Sequence, residues 1–174
     1  MIRRYLWPAL FVAGIAFAES VAGIAWTPPA TWKNAGDKPM RAATYAVPPA
    51  AGDKEPGECA VYYFGQGQGG GVQANIDRWV GQFQQPDGKV SKNVAQTKKQ
   101  TIHGLNVTTV TVTGTYGGMG GPMAATHSSK TGYRMLASIV EAPQGAVFFK
   151  FTGPAKTVAA NQANFDKLLN SLKK

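Results

Sequence analysis

In the run "YFGQGQGGGVQANIDRW", Gly65, Gly67 and Gly70 stand at G-x-G-x-x-G, the spacing of a dinucleotide-binding turn. That turn works only inside a parallel strand-helix-strand unit, with an acidic residue about 20 positions on to hold a ribose. Here the segment after the predicted helix is "QPDGKVSKNVAQTKK", polar and lysine-rich where a buried parallel strand should be apolar, and Asp87 falls in a turn. No Gly-Lys-Ser/Thr follows either, so a phosphate-binding P-loop is excluded. The glycines are therefore expected to allow close packing between a strand and a helix.

Other chemistry-bearing residues are few. The two histidines, His103 and His127, and the single cysteine, Cys59, form no H-E-x-x-H, C-x-x-C or G-x-S-x-G pattern, and the acids cluster in turns such as "AGDKEPGE", where solvation is their usual role. No catalytic residue and no cofactor is predicted. Cys59, in "ECAVYYF", reads as a small buried hydrophobe on a strand, and His103 before Gly104 as a hairpin-turn residue. Met119, Met123 and His127 are four apart in a glycine-rich stretch; thioether and imidazole suit Cu(I), which makes a copper-binding periplasmic protein one alternative. A small enzyme without a recognisable motif is the other. Lys89, Lys92, Lys98 and Lys99 form the densest basic run. It lacks the interleaved aromatics of a nucleic-acid surface, so nucleic acid is not expected, and these lysines are the candidate surface for an anionic partner.

The first 18 residues, "MIRRYLWPALFVAGIAFA", place Arg3 and Arg4 before an apolar stretch and end on small residues, the pattern of a cleaved signal peptide. The apolar stretch falls short of the about 20 residues of a membrane span. Export to the periplasm or the medium is expected, with cleavage after Ala18 and no transmembrane span after signal removal. The chain has 18 Lys+Arg against 9 Asp+Glu. Between Gly88 and Lys156 every charged residue but Glu141 is basic, an asymmetry suited to an acidic protein or an anionic envelope component. A lone cysteine cannot form an internal disulfide, so an exported domain of this size must be held by packing.

These residues need a scaffold, and the hydrophobic pattern supplies one. Residues 19–39 read as an irregular lead-in with Trp26 and Trp32 as core anchors, and residues 40–174 as a single α+β domain. "MRAATYAV" and "CAVYYFG" are short strands separated by a Pro/Gly-rich connection. Val72, Ile76, Trp79, Val80 and Phe83 recur at helical spacing, giving an amphipathic helix that ends near "QPDG". A strand block follows: "TKKQTIHG", "LNVTTVTVTGTY", "YRMLASIVEA" and "AVFFKFTG", the last two joined by a tight reversal at Pro143-Gln144-Gly145. Val158, Phe165, Leu168, Leu169 and Leu172 predict a closing helix. Gly117 to Gly132 read as a long flexible loop.

A Trp-bearing lead-in ("PPATW"), early strands, a helix reading "NIDRW", an antiparallel block and a terminal helix reading "FDKLLNSL" together resemble the PsbP-like family. The chain also resembles exported bacterial members of that family with a glycine-rich turn before N-x-x-R-W and a "FFKFTGP" strand end. The resemblance implies an α/β/α sandwich, with a mainly antiparallel sheet flanked by two principal helices. It also implies a non-catalytic accessory or binding module, and it carries no site residue across.

Overall fold

Along residues 145–154 the side chains alternate, with Val147, Phe149 and Phe151 entering one buried cluster and Phe148 another. A strand whose two faces are both buried must lie in the middle of a sheet. The computed structural model, which describes residues 18–118 and 129–174, places it there. The strands are β1 (Glu19–Val21), β2 (Ile24–Trp26), β3 (Lys33–Asn34), β4 (Ala43–Val47), β5 (Gly57–Tyr63), β6 (Phe83–Gln84), β7 (Gln96–Ile102), β8 (Leu105–Tyr116), β9 (Lys130–Ala142) and β10 (Gly145–Pro154); the helices are α1 (Val72–Val80), α2 (Ala155–Ala160) and α3 (Gln162–Asn170). The main sheet has the order β3-β4-β5-β10-β9-β8-β6, with β7 also on β8. Every pairing is antiparallel.

Two cores result. On one face α1 lays Ile76, Trp79 and Val80 over Val110, Val112, Ile139 and Phe148. On the other, Phe165, Leu168 and Leu169 of α3 join Val140, Phe149 and Phe151, and the β1–β2 hairpin adds Ile24 and Trp26. The architecture is thus an α+β sandwich with helices on both faces of an antiparallel sheet.

The turns follow local chemistry. His103 and Gly104 have φ of 46° and 76° and join Ile102 to Leu105, the two-residue reversal whose twist suits antiparallel strands. Pro143 and Gln144 join the paired residues Ala142 and Gly145.

Four expectations need adjustment. The lead-in is not irregular throughout: β1 and β2 pair with each other and β3 pairs with β4, while Ala25 exchanges both backbone hydrogen bonds with Lys173 (2.8 and 2.9 Å). Contacts with the distant C-terminus, which no local pattern encodes, make this segment regular. Helix α1 stops at Val80, and Phe83 leaves it to pair with Tyr116 in β6. The terminal helix is broken at Asn161, where φ is −101° and ψ 7°; the Asn161 carboxamide donates to the Thr157 carbonyl (3.1 Å) and accepts from Trp32 Nε1 (3.1 Å). The Gly117 to Gly132 loop is shorter than expected, because β9 already begins at Lys130. Among the described residues no helix is long and apolar enough to cross a membrane, and residues 1–17 of the expected signal lie outside them.

Candidate functional site

Lys150 sits on the central strand β10, with Ala60 opposite it on β5 and Ala137 opposite it on β9. Two alanines flanking one long side chain leave a depression in the α1 face of the sheet. Two residues along β10, the same face carries Phe148 paired with Tyr62, and large side chains form a wall there. Phe64 stands beside both, its ring centroid 6.0 Å from Tyr62 and 5.7 Å from Phe148. From above, Trp79 of α1 meets Phe148 edge-on at 6.0 Å. The segment before β4 closes the remaining side with Met40 and Arg41. The half-open hollow they line is about 480 Å³.

Its electrostatics are uneven. Lys150 is only 3% exposed, and its Nζ donates to Gln82 Oε1 at 2.6 Å and to the Tyr116 hydroxyl at 3.4 Å. It also lies 5.4 Å from the Tyr116 ring centre, within cation–π range. All 9 Asp and Glu side chains of the chain lie in described residues, yet none forms an ion pair with Lys150 or Arg78. Burial, and then the charges of Arg78 and Arg41, push the Lys150 ammonium down to about 8, and burial pushes the Tyr116 phenol up to about 12. Arg41 is different: it lies over the Tyr62 ring at 5.5 Å and pairs with Glu58 at 2.8 Å. Burial acts to raise the Glu58 carboxyl, but hydrogen bonds from Lys38 and Arg41 outweigh it and hold the group below its usual range.

The glycines turn out to position this cavity. Gly65, Gly67, Gly69 and Gly70 all have positive φ, and a Cβ on Gly69 would stand 2.8 Å from Phe148 Cε2. The loop is drawn against the sheet at a distance only glycine tolerates. Buried Asn75 donates to the carbonyls of Gly69 (2.7 Å) and Gly71 (3.0 Å), and its own Oδ1 accepts from Arg78 at 2.5 Å. The loop thereby fixes Asn75, and Asn75 orients Arg78 at the cavity mouth. Strand β5, which precedes the glycines, has only antiparallel neighbours, so these glycines do not sit in the parallel unit of a dinucleotide fold.

The lysine run is dispersed. Lys89 pairs with Asp87 at 2.8 Å and Lys92 with Asp77 at 3.1 Å. Lys98 and Lys99 are neighbours on β7, so the period of two sends them to opposite faces. Lys98 borders a polar recess with Arg134 and Gln162 on the α3 side, and Lys99 one with Thr108 and Glu141 on the α1 side. Lys89 and Lys92 line one hollow beside the end of α1, and Lys98 faces away from Lys99, so the four do not form a single surface. Met119, Met123 and His127 lie outside the described residues. Cys59 is fully buried with its thiol pushed up by burial, and His103 Nδ1 is 2.7 Å from the Leu172 carbonyl oxygen.

Lys150, Arg78 and Arg41 were not singled out as site residues in the sequence. One signal was legible: in "AVFFKFTG" a lysine interrupts a strand apolar on both faces, and a buried lysine needs a reason. Nothing local marks the two arginines.

No protein-family model matches the sequence, and no curated protein does. Among solved structures, the solution structure of cyanobacterial PsbP (CyanoP) from Synechocystis sp. PCC 6803 superposes with a TM-score of 0.52 at 11% identity, covering 95% of this chain and 97% of that one. That extent of agreement, with the helix-covered antiparallel sheet already described, shows that the chain has a PsbP-like fold.

Proposed function

We propose that the protein is an exported, non-catalytic binding module that holds an anionic partner, a protein or an envelope component, at the cavity on the α1 face. The observation carrying this reading is Lys150: a buried ammonium without a carboxylate, at the base of an aromatic-walled hollow with a second unpaired cation, Arg78, at its mouth. A buried charge is costly unless it is paired, and an incoming anion would supply the pair. The exposed backbone outlier beside it points the same way. Met40 is 74% exposed with φ of 62°, a conformation that costs a non-glycine residue about 1 kcal/mol or more, and such strain concentrates at binding sites. The non-catalytic part is supported by the commitments of Cys59 and His103 to structure, and export by the signal-like first 18 residues.

The test combines fractionation with capture. The chain isolated from the cell envelope begins at Glu19. Purified, it retains envelope components in a salt-sensitive way; Arg78→Gln with Lys150→Met removes that retention, while Lys98→Glu with Lys99→Glu leaves most of it. A cytoplasmic chain beginning at Met1 overturns the export reading, and retention indifferent to Arg78→Gln with Lys150→Met overturns the cavity as the site.

A further inference from the structure

We infer that the cavity takes a single-headed carboxylate amphiphile, a free organic acid with an aliphatic or aromatic body, its carboxylate on Lys150 and its body along Tyr62, Phe64 and Phe148. This rests on the binding role proposed for the cavity and adds the ligand's chemistry. The hollow is polarised. Its base offers one ammonium with three donors, of which two are used by Gln82 and Tyr116, so one remains for a ligand oxygen. The side toward β5 is aromatic, and Trp79 and Met40 extend that apolar surface to the rim. A volume of about 480 Å³ falls within the range of small-molecule pockets, about 300–1,000 Å³.

Charge decides between head groups. Arg41 is already balanced by Glu58, and Arg78 is exposed at the mouth, where water screens it. Only Lys150 is deep, which matches one negative charge. The helix residues lining the hollow, Arg78 and Trp79, belong to the last turn of α1, with Gly81 as its C-cap. That end of a helix carries a partial negative charge, which opposes a dianionic phosphate more than a carboxylate. A phosphate-binding site is ordinarily built on the opposite, N-terminal end.

Titration calorimetry with decanoate, decanol and decyl phosphate tests this directly. Decanoate binds once per chain, with decanol at least about tenfold weaker, as expected for loss of a charged hydrogen bond, and decyl phosphate no tighter than decanoate. Lys150→Met weakens decanoate at least about tenfold and decanol less than about twofold. Because Lys150 is central, a rim variant provides an independent arm: Phe64→Ser, at a partly exposed position, weakens decanoate and decanol alike. Tighter binding of decyl phosphate, equal decanoate affinity in wild type and Lys150→Met, indifference to Phe64→Ser, or no decanoate binding each overturns the assignment. If salt-sensitive envelope capture through Arg78 and Lys150 is nonetheless observed, the binding role stands and only the ligand class falls; if capture is also absent, the cavity's role falls with it.

Discussion

The ammonium of Lys150, at the centre of the sheet, donates to the side-chain oxygen of Gln82, two residues past the end of α1, at 2.6 Å. The bond ties the helix end to the sheet across the cavity base. Gln82 is also held through its backbone, whose carbonyl accepts from Gly117 N–H at 2.9 Å. A neutral acceptor satisfies part of the ammonium's hydrogen-bonding capacity and none of its charge.

Stability should therefore depend on pH through Lys150. In the folded chain this group loses its proton near pH 8, against an ordinary value of 10.5. Between those values the unfolded chain holds more protons, so this group's contribution to stability rises with pH across that window and is flat below it. Facing it are Arg78 from α1, Arg41 before β4, Glu58 and Tyr62 from β5 and Tyr116 from β8. Tyr116, pushed up to about 12, stays protonated across that window. Below pH 8, Lys150→Met is expected to stabilise the chain by about 1–3 kcal/mol, because it removes a buried charge. Urea denaturation at pH 7 and at pH 10 should show this gain shrinking at the higher pH. A gain that is equal at both, or a destabilised variant, would contradict the burial argument.

The glycine turn separates steric from conformational cost. Gly69→Ala brings a Cβ within 2.8 Å of Phe148 at a φ of 90°, whereas Gly67, with φ of 71°, has nothing within 4 Å. Gly67→Ala is expected to cost about 1–2 kcal/mol for the left-handed backbone alone. Gly69→Ala should cost a further about 1–3 kcal/mol from overpacking. Denaturation midpoints decide the order, and thermal melts with NAD or ATP should show no shift. A nucleotide-dependent rise in Tm lost in Gly67→Ala would restore the dinucleotide reading.

The lead-in should prove integral to stability. Trp26 Nε1 donates to the Tyr45 hydroxyl at 2.8 Å, and that hydroxyl donates to Glu19 Oε2 at 2.6 Å. Trp26 and Tyr45 are both 1% exposed. Tyr45→Phe removes the acceptor and strands a buried indole N–H, so about 1–3 kcal/mol should be lost. Glu19→Gln, which keeps an oxygen acceptor, should cost less. Comparable losses in both variants would place the weight on the carboxylate charge instead.

The sequence by itself determined the elements that rest on local periodicity and turn chemistry. The alternation in "LNVTTVTVTGTY" and "AVFFKFTG", the helical spacing of Ile76, Trp79 and Val80, the His103-Gly104 turn and the Pro143-Gln144 reversal each arise within a few residues, where backbone sterics and a period of 2 or 3.6 act. Cys59 was legible as buried for the same reason. Only the tertiary structure decided which strands lie side by side. The lateral order β5-β10-β9 places Ala60 and Ala137 beside Lys150, and neither alanine is remarkable in its own segment. The lysine run shows the converse. Lys98 and Lys99 are adjacent in sequence, but strand geometry sends adjacent side chains to opposite faces, while Arg41, Arg78 and Lys150 come from a loop, a helix and a strand to line one hollow. Charge density along a chain is a one-dimensional property; a binding site is set by long-range pairing and by the sizes of the residues that pairing brings together.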